Sequence, residues 1–115
     1  MPKSSKYGYV YVLTNTDKTV SKIGYTMNAT RDRCRQFSKC ENRQYVLAVE
    51  ICFDKPRVVE QYLHRFFDHL KIEREFFRVS PTKVEIVAKT VFKPFDLLAY
   101  RHNLLHRDTY SKTCF

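Results

Sequence analysis

Three groups of residues in this 115-residue chain have types and spacings suited to handling a phosphate. The first is the run Tyr9-Val10-Tyr11-Val12-Leu13-Thr14-Asn15, followed seven residues later by Lys22-Ile23-Gly24-Tyr25-Thr26. Paired as a hairpin, the two runs set phenols beside an ammonium group, an active-site or phosphate-site layout. The second group is arginine-rich. At helical spacing Ala29, Arg33, Phe37 and Cys40 share the least polar face, where an arginine needs a reason to sit. Arg31 and Arg35 share the opposite side, within reach of solvent or a nucleic-acid backbone. A guanidinium suits phosphate because its planar fork matches the oxygens. The third group is Glu60 and His64. At about 100° per residue they lie at the edge of a helical stripe formed by Val59, Leu63, Phe66 and Leu70, where both overhang a cleft beside the sheet.

Those groups need strands and helices to hold them. The alternating first run predicts a strand from Tyr7 to Thr14 and the second a strand from Val20 to Tyr25, with turn chemistry in Asn15-Thr16-Asp17 between them. Asn28 or Thr30 caps a helix reaching Cys40. Tyr45 to Phe53 reads as a third strand. Asp54-Lys55-Pro56 opens a second helix, an acidic cap followed by proline in the first turn, which continues to Leu70. Phe76 to Val79 is a short fourth strand, and Ser80-Pro81-Thr82 opens a final helical region interrupted near Pro94. The expected fold is α+β, a small, mixed but mainly antiparallel sheet of three core strands and a short fourth, flanked by helices. The expected organisation is a disordered segment 1–6, a domain over 7–80, and a helical extension 81–115 packing on it.

Composition narrows the function. One domain of this length, with nine Phe and eight Tyr, buries a substantial core. Of the 21 basic and 12 acidic residues behind the net charge of +9, residues 1–47 hold nine basic against three acidic, 48–80 six against six, and the tail six against three. The positive field therefore lies over the hairpin and first helix, which suits a polyanion, most simply nucleic acid. Cys34, Cys40, Cys52 and Cys114 lack metal or disulfide spacing and read as reduced thiols, so no disulfide-linked partner is expected. His102 and His106, four apart, read as solvated residues because no third ligand is near in sequence. No apolar run resembles a leader or a bilayer span; an intracellular site, cytoplasm or nucleus, is expected, with no membrane partner.

Taken in order, Tyr9-Val10-Tyr11, Lys22-Ile23-Gly24-Tyr25-Thr26, Arg33, Glu60-x-x-x-His64 and Glu75-Phe76-Phe77 resemble the GIY-YIG nuclease superfamily, and within it the phage and large-DNA-virus branch of DNA-binding domains. The resemblance spans residues 7–80. It implies an α+β fold and a site in which Glu60 binds one Mg2+ or Mn2+ ion, Arg33 stabilises charge on the attacked phosphate, and Tyr11 positions the attacking water. It places a viral chain inside an infected host cell. His64 is similar to the histidine of the viral branch. Lys22 stands where the nucleases carry their second tyrosine, and Tyr25 is the candidate to supply that phenol. No equivalent of the nucleases' late asparagine follows Phe77, and Asn103 lies far along the chain.

The resulting expectation is a DNA-binding domain that also cleaves phosphodiesters. Tyr11, Lys22, Tyr25, Arg33, Glu60 and His64 are its catalytic set, and Lys22, Arg31, Arg35, Lys39 and Arg43 its DNA contacts. Two rivals stand beside it. One is a non-catalytic DNA-binding module in which Lys22 has replaced catalysis by grip. The other is a basic protein-interaction domain whose tyrosines are core. Oligomeric state is not legible in the sequence.

Overall fold

The computed structural model describes residues 7–27, 45–96 and 98–99. Its elements are β1 (Gly8–Thr14), β2 (Ser21–Thr26), β3 (Val46–Phe53), α1 (Pro56–Phe66), a 3-10 turn (Asp68–Leu70), β4 (Lys71–Glu73), β5 (Phe76–Phe77) and α2 (Pro81–Val91). The strands form one sheet in the order β3-β1-β2-β5-β4. Among the described residues every strand pair is antiparallel, so the fold is α+β as expected, with five strands rather than four and none of them parallel. The fifth strand was missed because Lys71-Ile72-Glu73 is too short and polar for alternation to register. The expected helix over 28–40, segment 1–6 and most of the tail beyond Pro94 lie outside the described residues.

β1 sits between β3 and β2 and is buried on both faces, which is why its sequence mixes valines with tyrosines and leaves few polar positions. Asn15 closes the hairpin. Its main-chain oxygen accepts from Lys18 N (3.1 Å), while its side-chain oxygen accepts from Thr19 N (3.0 Å) and Val20 N (3.2 Å). An asparagine side chain standing in for a turn peptide fixes the register of everything downstream.

Val10, Val12, Ile23, Val49, Ile51 and Phe53 on one sheet face pack against Val59, Leu63 and Phe67 and against Val84 and Ala88 of α2. The expected core stripe of α1 is therefore right at Val59 and Leu63 and wrong at Phe66, which is 44% exposed while Phe67 is buried. The helix ends at Phe66, and Phe67 through Leu70 tighten into the 3-10 turn, closed by Leu70 N donating to Phe67 O (2.8 Å). Phe67, four residues after Leu63 and still donating its N–H to Leu63 O (3.0 Å), continues the buried face set by Val59 and Leu63. At the other end, Asp54 does not cap α1. Lys55 does, without a side-chain bond, because the residue before a proline is kept out of the helical region and becomes the boundary. Ser80 caps α2 as expected, accepting from Lys83 N (3.2 Å).

Candidate functional site

The register of the β1–β2 hairpin sorts the candidate residues. Tyr9 faces Thr26, Tyr11 faces Gly24 and Leu13 faces Lys22, so these six share one face. Val10, Val12, Ile23 and Tyr25 share the other, under the helices. Tyr25 thus packs against the apolar core, on the face away from Tyr11 and Lys22. A separation of three along a strand always turns a side chain to the opposite face, so Tyr25 does not supply a phenol beside Lys22.

Gly24 is explained by Tyr11. The tyrosine ring lies across the glycine, and a Cβ at residue 24 would stand 2.5 Å from ring carbon Cζ and collide with the hydroxyl. This is a close approach of a side chain to the backbone in mid-strand. Tyr11 is only 2% exposed. Lys22 extends along the same face, its Nζ 5.6 Å from the centre of the Tyr11 ring, and forms an ion pair with Glu75. Side-chain exposure is 9% for the lysine and 41% for the glutamate, so the carboxylate sits nearer to water than the ammonium it neutralises.

The second cluster lies where β5 runs out. β5 pairs with β2 only at Ser21 and Lys22. Beyond that point Ile23 N donates to Glu75 O (3.0 Å), and Ile23 O is met by His64 Nε2 (2.9 Å) from α1. A carbonyl only accepts, so Nε2 carries the hydrogen. His64 therefore satisfies a strand carbonyl that has no strand beside it, and its ring meets Phe77 edge-on at 4.9 Å. Glu60 lies one helical turn earlier with Oε2 3.5 Å from the same nitrogen, as the four-residue spacing predicted. Burial pushes the Glu60 carboxyl above the usual carboxylate range. His64, Lys22 and Arg57 pull it back down, and the Glu75 carboxylate pushes it further up. Glu60, Glu75, Lys22 and His64 therefore belong to one electrostatic cluster around the open edge of β2.

Among the described residues no three His, Cys, Asp or Glu side chains converge as a metal cage. Glu60 alone fits a different kind of site, since Mg2+ keeps several waters and takes one or two carboxylates plus substrate oxygens. A desolvated carboxylate gains from a cation whatever its source. Arg31, Arg33, Arg35, Lys39 and Arg43 lie outside the described residues, as do Cys34, Cys40, Cys114, His102, Asn103 and His106; Cys52 is half-buried in β3 and not in a disulfide. The sequence reading missed the pairing of Glu75 with Lys22. The available signal was Phe76-Phe77 itself: a strand there adjacent to β2 brings the preceding residue alongside a lysine that needs a counter-charge.

Fold and site define an antiparallel α+β domain with a mixed-charge cluster at the open edge of its second strand. The model of the T5orf172 domain matches residues 8–92, from β1 to just past α2, and the chain belongs to that family. The domain is phage-associated and related to GIY-YIG-like and homing-endonuclease-like folds. No curated protein and no solved structure matches the chain. No helix among the described residues is long and apolar enough to cross a membrane.

Proposed function

We propose that this chain is a DNA-binding domain that grips the phosphodiester backbone. The observation that carries the reading is the placement of Lys22 against Tyr11 on one face of the central hairpin, in a T5orf172 chain with a formal charge of +9. Lys22 would take one phosphate, and Arg31, Arg35, Lys39 and Arg43 others, giving affinity without sequence information. Each contact releases condensed counterions, so affinity falls with salt at a log–log slope of about −0.9 per phosphate neutralised.

A second reading, metal-dependent endonuclease, rests on Glu60. Its largely buried carboxylate would hold one Mg2+ or Mn2+, which when bound polarises a phosphate and acidifies a coordinated water. Arg33 would steady the phosphate charge and His64 would hold Glu60 in place. Two features favour grip over cleavage. The Tyr11 hydroxyl is packed over Gly24, poorly placed to reach a water, and of the two candidates for the second phenol's place Lys22 is not a phenol and Tyr25 lies on the opposite face.

Purified protein and its Glu60→Ala variant, incubated with supercoiled plasmid in magnesium and then manganese, separate the two. DNA retention by both proteins with no nicked product supports the binding domain. Nicking by the wild type alone establishes the nuclease. Failure to bind duplex, branched or single-stranded DNA at low salt defeats both and leaves an acidic protein as the partner of the basic face.

A further inference from the structure

The Lys22–Glu75 pair is arranged in an unusual order for a phosphate site. The cation that should meet DNA is 9% exposed, and the anion covering it is 41% exposed. An approaching phosphate meets the Glu75 carboxylate before it meets the ammonium. The carboxylate is also held in place by its own backbone. Glu75 O accepts from Ile23 N at 3.0 Å, and the preceding Arg74 takes a left-handed conformation at φ 48, so the turn between β4 and β5 delivers Glu75 to the edge of β2. Such a conformation is uncommon for a non-glycine residue and persists only where its surroundings enforce it.

We propose that Glu75 gates the phosphate position at Lys22. In the free protein the carboxylate occupies the ammonium, and a phosphodiester engages Lys22 only by replacing one anion with another. The gate rests on the DNA-binding reading for its biological ligand, but the exchange itself is a property of the pair. It makes Lys22 selective. A lone small anion gains little by displacing a tethered carboxylate, whereas a backbone already anchored by other cations brings its phosphate at high effective concentration and can drive the exchange. A lysine this buried also needs a counter-ion simply to be tolerated, so a purely structural pair is the alternative that the experiment must separate.

The test compares wild type, Glu75→Gln, Lys22→Ala and the double variant, each checked for a folded melting transition, by duplex DNA binding across a salt series. With the gate, Glu75→Gln binds DNA about tenfold more tightly at low salt, and its log–log salt slope steepens by about one contact's worth. Lys22→Ala loses less affinity in the wild-type background than in the Glu75→Gln background, where it abolishes the gain, a non-additivity that a distant charge effect lacks. Glu75→Asp, which keeps the charge but shortens the reach, gains less and serves should Glu75→Gln not fold.

Unchanged or weaker binding by folded Glu75→Gln or Glu75→Asp overturns the gate and leaves DNA binding standing. A pyrophosphate titration followed at the Lys22 side-chain resonances gives the DNA-free measure. Binding by Glu75→Gln and not by wild type supports the gate even if no DNA is bound. A response in neither rejects it.

Discussion

The two faces of the β1–β2 hairpin are made from alternate residues of the same two strands, yet they meet opposite demands. One face carries Val10, Val12, Ile23 and Tyr25 into an apolar core closed by Leu63 and Phe67. The other buries Tyr11, Lys22 and Thr26. On the first face each side chain is interchangeable with another of its size, because burial is non-directional. On the second, Tyr11 and Lys22 require particular partners. Tyr11 needs a glycine opposite, Lys22 needs Glu75, and the bare Ile23 carbonyl beside them needs His64. A region built from specific pairs tolerates change less, size for size, and that is where a function can be read.

Substitutions should rank the two faces. Leu63→Ala, at a fully buried position in the core, should cost about 2–5 kcal/mol in denaturant unfolding, the largest effect expected. Gly24→Ala adds a single methyl group, yet it should cost about 1–3 kcal/mol because the new Cβ lands on the Tyr11 ring. Combining it with Tyr11→Ala should cost less than the sum; strict additivity would mean that the ring and the glycine are not coupled. His64→Ala should cost about 1–3 kcal/mol by leaving the Ile23 carbonyl without its donor, and amide exchange along β2 should quicken with it. A surface-like effect of a few tenths would demote that bond.

The smallest change is Glu60→Gln, and it differs in sign. The folded-state pKa of Glu60 lies above its unfolded value, so the folded protein holds this proton more tightly. Its contribution to stability is fully present below pH 4.5 or so and is lost as pH rises through the folded-state value. Glu60→Gln, which mimics the protonated acid, should therefore melt slightly higher than wild type at pH 7. The advantage should shrink as pH falls below the ordinary carboxylate range. A variant that melts lower at pH 7 would show that His64, Lys22 and Arg57 outweigh burial.

Much of the helix-covered face was legible from alternation and helical spacing. Val59 and Leu63 fell where the 3.6-residue period put them, while at the next step the period allows either Phe66 or Phe67, and the buried one is Phe67, four residues after Leu63. The Glu60–His64 proximity was legible for the same reason, being local to one helix. The partner of Lys22 was not, since Glu75 is brought alongside by a two-residue strand whose register depends on the whole sheet. Tyr25 shows how much one residue of spacing matters. The motif resemblance placed it beside Lys22, and the two-residue period of a strand places it on the opposite side.

The ends of the sheet carry a consequence for crowding. At one margin β4 is only three residues long and carries Lys71 and Glu73. At the other, Phe95 N donates to Cys52 O (2.7 Å) and the Phe95 ring stacks on Tyr7, so the chain after α2 lies along part of the rim of β3. Short, charged or covered margins deny a neighbour the row of open amides and carbonyls from which strand-by-strand aggregates grow. Copies brought close together at high concentration therefore find little strand edge to join along these margins.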